Sequence, residues 1–127
     1  MSATTATPFL MFTGRAKEAL DFYVATLPDS EILSLDPGDN GTVKRAVARL
    51  AGQRVMAIDS PPVHAFTFTP SVSFFVECAG ETEIDRLYAA FLDGGGALMP
   101  LGSYGFSKKF GWLNDRFGVS WQFNLDQ

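Results

Sequence analysis

The sequence contains a single cysteine, Cys78, and a single histidine, His64. One cysteine forms no disulfide within the chain, which agrees with a reducing compartment. Basic residues number 10 against 14 acidic ones, and no stretch is basic enough to neutralise a row of phosphates. The N-terminal apolar run, Pro8 to Phe12, is far shorter than a signal-peptide core or a membrane span. We therefore expect a cytoplasmic protein that has neither nucleic acid nor a membrane as its partner.

Large apolar side chains are abundant by contrast. The hydrophobic content is 46%, and 12 Phe, 3 Tyr and 2 Trp supply large side chains for a hydrophobic core. This composition excludes a disordered chain. A length of 127 residues is enough for one domain and too short for two ordinary ones, so we expect residues 1–127 to form a single domain.

An internal repeat is the first sign of architecture. A Thr-Pro pair followed by an apolar strand occurs at Thr7 and again at Thr69. Each strand leads into an amphipathic helix, over residues 15–27 and over the segment "ETEIDRLYAAFL". We expect Thr-Pro to mark the same strand entry in both copies, Thr82 to cap the second helix and Gly94 to end it.

The repeat continues beyond each helix with a strand, a turn or loop and a β-hairpin. The first hairpin pivots on Ala51-Gly52 and the second on Phe117-Gly118. The sequence therefore predicts an α+β fold of two tandem βαβββ modules, residues 7–60 and 69–126. One module does not cover its own sheet, so we expect a curved, cup-shaped mixed sheet with the helices outside.

Segments along nearly the whole chain resemble the PhnB-like branch of the vicinal oxygen chelate superfamily, whose members include glyoxalase I, bleomycin-resistance proteins and extradiol dioxygenases. They are "FTGRAKEALDFY", "PDSEI", "FTPSVSFFVEC", "EIDRLYAAFLDGG" and "GWLNDRFGVSWQF". The resemblance implies paired βαβββ modules, a small-molecule ligand in the cup and a homodimer. This branch often carries a 3-demethylubiquinone 3-methyltransferase label.

Alternation along the strands of the second module separates two faces. Apolar sets such as Val72, Phe74 and Val76 are expected to face the helices. The opposite positions should face the cup. Tyr104, in a loop, and Trp112, whose side chain could point to either face, are added to them. The predicted ligand-binding set is therefore Ser71, Ser73, Phe75, Tyr104, Trp112, Ser120, Gln122 and Asn124. The alternative interpretation is an ordinary solvated sheet face.

Enzymes of the superfamily usually hold a divalent ion with His, Glu or Gln on the first and last strands of each module. By the resemblance, these positions fall at Pro8 or Phe9, Met56 or Ala57, Pro70 or Ser71, and Gln122. Only Gln122, with Ser71 beside it, offers oxygen ligands, and two neutral oxygens do not hold a transition metal. We therefore predict no metal at the family position and no other cofactor.

Several remaining residues have a structural and a functional interpretation. His64 is a surface or packing residue in the first and a base at the cup edge in the second. Cys78 is a structural thiol or a nucleophile without an assigned partner. Lys108 and Lys109 are solvated charges or contacts for an anionic ligand at the cup rim. Asp59 is a turn residue or an acid near the cup.

Two classes of function remain open from the sequence, and no catalytic residue is assigned. The first is a protein that binds a small organic molecule in a metal-free cup. The second is an enzyme of the superfamily, either metal-independent or with a non-standard metal site. A methyltransferase comes third, because the glycine cluster Gly94 to Gly96 ends a helix and enters a strand, the reverse of the common S-adenosylmethionine site.

Overall fold

The computed structural model describes residues 3–126 of the chain. Contacts divide the chain after Ala65 into two units, each made of one helix and one four-stranded sheet. Two helices and eight strands in two mixed sheets confirm the predicted α+β fold and the βαβββ order of each module. Within residues 3–126, no helix is long and apolar enough to cross a membrane.

The first unit begins with a short strand that pairs in parallel with the last strand of the unit. Its sheet has the order β1-β4-β3-β2, and the β2–β3 and β3–β4 pairs are antiparallel. The predicted turn after β2 contains a 3₁₀ segment, Asp39–Gly41. The elements are β1 (Phe9–Phe12), α1 (Ala16–Thr26), β2 (Glu31–Pro37), β3 (Val43–Leu50) and β4 (Gln53–Asp59).

The second unit repeats this topology with the sheet order β5-β8-β7-β6. Strands β5 and β8 are parallel, whereas β6–β7 and β7–β8 are antiparallel. The elements are β5 (Ser73–Glu77), α2 (Glu81–Leu92), β6 (Gly96–Gly102), β7 (Lys109–Asn114) and β8 (Ser120–Leu125).

Each helix covers one face of its own sheet, which is where each core lies. In the second unit, the α2 stripe places Phe91 edge-on against Trp121, with ring centroids 4.8 Å apart, and Phe74 stacks on the same indole at 4.5 Å. Trp121 and Phe91 are fully buried. The alternate residues of β5 and β8 consequently lie on the opposite face, which we call the open face of the second sheet.

The hairpins form as their glycines predict. Ala51 and Gly52 have φ of +49° and +85°, the left-handed pair that a two-residue turn between twisted strands requires. Gly94 follows the C-cap residue Asp93 and has a φ of +79°, which confirms it as the glycine that ends the helix.

Gly111 permits the close approach of α2 to the sheet. A Cβ at this position would lie 2.3 Å from Cε1 of Tyr88, whose ring covers the strand and whose hydroxyl donates a hydrogen bond to the carbonyl oxygen of Met99 at 3.0 Å. A side chain larger than hydrogen therefore does not fit between α2 and β7 at this point.

Two expectations about the start of the second module are wrong. Helix α2 begins at Glu81 behind Gly80, and it is Glu83, not Thr82, whose side chain accepts a hydrogen bond at this end, from the amide of Ala79 at 2.9 Å. Val72 precedes β5 and is 80% exposed, so it does not face the helix.

The Thr-Pro pairs do not mark equivalent positions. Pro8 directly precedes β1, whereas Pro70 lies three positions before β5. Strand pairing gives the true correspondence, because Phe9 pairs with Met56 in the first sheet and Phe75 pairs with Gln122 in the second. Phe75 is therefore the structural counterpart of Phe9, and the repeated Thr-Pro is a coincidence of sequence.

Candidate functional site

A concavity of about 590 Å³ lies on the open face of the second sheet. All of its lining residues belong to the second unit, and they combine four aromatic rings with a polar end. The lining residues are Phe75, Glu77, Met99, Phe106, Phe110, Trp112, Gln122, Asn124 and Asp126.

Strand register explains why these side chains converge. Trp112 pairs with Gln122 across β7 and β8, and Gln122 pairs with Phe75 across β8 and β5. Side chains that are paired across a sheet point to the same face, so the three form a row on the open face. The next row contains Phe110, Asn124 and Glu77. The register also settles the orientation of Trp112, which the sequence left open.

Aromatic rings form one wall of the concavity. Phe110 lies 5.0 Å from Phe106, edge to face, and 6.3 Å from Phe75 between ring centroids. Tyr104 stands behind this wall, at 6.1 Å from Phe106, and its hydroxyl donates a hydrogen bond to the carbonyl oxygen of Pro100. These mutual contacts hold the wall in place without help from a ligand.

Two hydrogen bonds fix the polar side chains at the centre of the site. The indole Nε1 of Trp112 donates to Oγ of Ser120 at 2.8 Å, and Nε2 of Gln122 donates to Oγ of Ser73 at 2.8 Å. Ser120 is only 1% exposed, so its hydroxyl serves the indole rather than solvent. Both serines thus orient residues that line the concavity.

An amide bridges two carboxylates at the polar end. Nδ2 of Asn124 donates to Oε1 of Glu77 at 2.9 Å and to Oδ1 of Asp126 at 2.8 Å. Asn124 is 5% exposed, so burial and two hydrogen bonds hold its side chain in one orientation. The ion pairs among residues 3–126 involve other acidic side chains, which leaves Glu77 and Asp126 without a cationic partner there.

The structure brings together most of the predicted binding set. Phe75, Trp112, Gln122 and Asn124 line the concavity. Ser73 and Ser120, in the neighbouring row of the same face, accept hydrogen bonds from Gln122 and Trp112. Tyr104 contacts the lining residue Phe110. Ser71 is misplaced, because it precedes β5 and its hydroxyl is hydrogen-bonded to that of Thr69 at 2.6 Å.

Sequence reasoning missed five lining residues. Glu77 lies two positions after Phe75 in β5, so alternation assigns it to the same face, but it was not included in the predicted set. The spacing of two positions from Trp112 could have identified Phe110, because both belong to β7. Met99 pairs with Trp112, but register shifts in the β6–β7 ladder hide this from sequence. Phe106 and Asp126 lie outside the strands, where no periodicity indicates a face.

The family metal position does not fit a transition metal in this chain. Pairing identifies the first-strand and last-strand residues as Phe9 with Met56 and Phe75 with Gln122, which corrects the placement at Ser71. Gln122 is the only one of these four residues whose side chain has an oxygen that can bind a metal, and its amide nitrogen donates a hydrogen bond to Ser73. Residues 3–126 contain no group of three His, Cys, Asp or Glu side chains able to hold an ion.

Cys78 follows β5 and its thiol is strongly disfavoured as a nucleophile. Burial, with Glu83 and Glu77 nearby, raises the pKa of the thiol to about 11. Its backbone amide donates to the carbonyl oxygen of Asn124 at 2.7 Å, which secures the end of β5 to β8. These features favour the structural interpretation of this cysteine.

The remaining polar candidates have structural contacts. Asp59 accepts hydrogen bonds from the amides of Gly14, Ala16 and Val43 at 2.8 to 3.0 Å, so it ties the start of α1 to the sheet. Nε2 of His64 lies 3.3 Å from Oγ of Ser60 in an exposed segment.

The two lysines at the start of the last hairpin interact with α2. Lys109 donates to Oδ1 of Asp85 at 2.7 Å, and this hydrogen bond raises the pKa of Lys109. Lys108 lies 3.9 Å from Glu81. Neither lysine lines the concavity, so neither is placed there to bind an anionic ligand.

Comparison with solved structures shows where this architecture recurs. The PhnB protein from Bacillus cereus is 50% identical, with a TM-score of 0.91, over 96% of this chain and 99% of that one. Protein PA1353 from Pseudomonas aeruginosa is 29% identical, with a TM-score of 0.81, over 98% of this chain and 99% of that one. A glyoxylase/bleomycin resistance protein/dioxygenase domain from Frankia sp. shares the fold at 15% identity and a TM-score of 0.70, over the full length of both chains.

No curated protein matches this sequence. The family model described as 3-demethylubiquinone-9 3-methyltransferase matches residues 4–124, which is nearly the whole chain. The chain therefore belongs to this PhnB-like family, and it shares the fold of the glyoxalase/bleomycin resistance/dioxygenase domains.

Proposed function

We propose that this protein binds a small organic molecule in the concavity of its second sheet, without a metal at the family position. The observation that carries the proposal is the composition of this concavity: an aromatic wall and a fixed polar end within about 590 Å³. A volume of this size and a few oriented polar groups among apolar ones are typical of ligand sites.

The burial of polar side chains at this site supports a role in binding. Ser120 and Asn124 are nearly fully buried on a sheet whose other face already supplies the hydrophobic core. Buried polar side chains stabilise a fold little, because their hydrogen bonds replace bonds to water. A binding function gives these residues a purpose that folding alone does not.

A methyltransferase is less well supported, although the family description names one. Its cofactor needs a glycine-rich turn that leads from a strand into a helix. Here Gly94 ends α2 with a left-handed φ, and a Cβ on Gly95 would lie 2.1 Å from the carbonyl oxygen of Asn114. Helix termination and close packing therefore account for both glycines.

A fragment screen followed by NMR tests the proposal, because the two tryptophans serve as internal reporters. The side chain of Trp112 lines the concavity, whereas Nε1 of Trp121 donates to the buried carboxylate of Asp115. We expect binders to shift the Trp112 indole signal and to leave that of Trp121 unchanged. Fragments that shift neither signal, or both equally, would contradict binding in this concavity.

Matched variants locate the site further. Phe75→Ser should abolish the shift, and Phe9→Ser should not, since Phe9 is the counterpart in the first sheet with a similar exposure, 53% against 54%. Equal losses in both variants would refute the assignment to the second sheet.

Elemental analysis of untagged protein addresses the competing metalloenzyme. We expect no stoichiometric transition metal in the wild type or in Gln122→Ala. About one metal ion per chain that is lost in the variant would overturn the metal-free proposal and direct assays toward metal-dependent chemistry.

A further inference from the structure

The hydrogen-bond donors of the concavity are largely committed to the protein itself. Trp112 uses its only donor on Ser120, and Asn124 uses both amide hydrogens on Glu77 and Asp126. Gln122 uses one of its two on Ser73. No lysine, arginine or histidine lines the site. One amide hydrogen of Gln122 is thus the donor that remains for a ligand.

The acceptors, in contrast, remain open. Oδ1 of Asn124 receives no hydrogen bond from residues 3–126 and is accessible to solvent, and the hydrogen bonds of the two amide hydrogens fix which way this oxygen faces. Each carboxylate of Glu77 and Asp126 has one oxygen bonded to Asn124 and a second oxygen that accepts no hydrogen bond from the described residues 3–126. An accessible amide oxygen and two carboxylates without a cationic partner among residues 3–126 therefore meet at one end of the cavity.

From this imbalance we infer that the ligand is an organic cation, an ammonium group on an apolar or aromatic body. The inference rests on the proposed function and names the ligand class for the same site. An ammonium supplies the positive charge and the N–H donors that Glu77, Asp126 and Asn124 lack.

The aromatic wall suits the same class of ligand. Phe75, Phe106, Phe110 and Trp112 present ring surfaces that contact an apolar body, and indole and phenyl faces attract a cation that lies over them. An anionic ligand would meet two carboxylates with a single amide hydrogen to receive it. The charge of the site therefore discriminates against acids as well as favouring amines.

A pair of isosteric probes tests the charge requirement. 2-Phenylethylamine is a cation at pH 7, and 2-phenylethanol is neutral and of nearly the same shape. Each is titrated into the protein while the Trp112 indole signal is followed by NMR. We expect the amine to bind at least about tenfold more tightly than the alcohol, as a charge-assisted contact requires.

Charge-neutralising variants then identify the groups responsible. The double variant Glu77→Gln/Asp126→Asn keeps the shape of the site and should reduce the preference for the amine to within about twofold. The matched control, Glu18→Gln/Asp21→Asn, removes two charges from exposed ion pairs on α1 and should retain the full preference.

The outcomes separate this inference from the proposed function. If the alcohol binds as tightly as the amine, or if the control variant loses the preference equally, the cation requirement is wrong while binding in the concavity stands. If neither probe shifts Trp112, the inference is overturned, and the fragment screen decides independently whether the cavity binds anything.

Discussion

Replacing Gly111 by alanine tests how closely α2 lies against the second sheet. The added Cβ would lie 2.3 and 2.6 Å from ring atoms of Tyr88 and 3.2 Å from a third. Real Cβ atoms do not approach so closely, and Tyr88 is only 5% exposed, so its ring has little room to retreat. Either the ring rotates or the helix moves away.

Both responses cost stability. Overpacking a well-packed core by one methyl group costs about 1–3 kcal/mol. Displacing the ring also breaks the hydrogen bond from Tyr88 to Met99, a further loss of about 1 kcal/mol. We therefore expect Gly111→Ala to lower the free energy of unfolding by roughly 2–4 kcal/mol, which corresponds to a fall in Tm of about 10 °C.

Urea and thermal unfolding, followed by tryptophan fluorescence, measure the effect. The control is Gly96→Ala in β6, where a Cβ meets nothing within 4 Å. This variant should be neutral or slightly more stable, because alanine restricts the unfolded chain. Adding Gly111→Ala to Tyr88→Phe should cost less than adding it to the wild type, because the hydroxyl bond is already absent. If Gly111→Ala unfolds at the same urea concentration as Gly96→Ala, the close approach is wrong.

Two further predictions concern buried acids of the second unit. Burial raises the pKa of Cys78 to about 11 from an ordinary value of 9.0, so its alkylation by iodoacetamide in the native protein should reach half of its maximal rate only near pH 11. Folding stability should fall between pH 9 and 11, because the unfolded thiol ionises first. A native alkylation rate equal to that in urea would refute this. Asp115 is 3% exposed and accepts bonds from Phe117, Val119 and Trp121, so Asp115→Asn should cost about 2–4 kcal/mol in urea unfolding, whereas exposed Asp93→Asn should be nearly neutral.

The order of elements was predictable because it follows from local periodicity. Helices are indicated by apolar residues at helical spacing, such as Leu87 and Phe91, and hairpins by glycines such as Gly52. Both signals depend only on residues close in sequence. Strand starts are different. Alternation was extended back to Ser71, but β5 begins at Ser73, where its pairing with β8 begins. Which residue starts a strand depends on a partner that is distant in sequence.

The binding set was predictable only in part for the same reason. Alternation assigns a strand residue to a face, and this placed Phe75 and Gln122 correctly. It does not say which neighbour a loop or terminal residue meets, so Phe106 and Asp126 were missed. Alternation also does not reveal that the side-chain amide of Asn124 donates both of its hydrogens to carboxylates. These hydrogen bonds leave mainly acceptors for a ligand at this end of the site.

The two sheets show why folding alone does not account for this chemistry. Their helix-facing sides are apolar in both, as burial against α1 and α2 requires. Their open faces differ at equivalent positions: Phe9 beside Met56 in the first sheet, and Phe75 beside Gln122 in the second. A sheet of the same topology therefore forms with Met56, Ile58 and Met11 at the positions that Gln122, Asn124 and Glu77 hold in the second sheet. This difference between equivalent positions supports our proposal that the second sheet binds a ligand, and its open acceptors are the basis for inferring a ligand that donates hydrogen bonds.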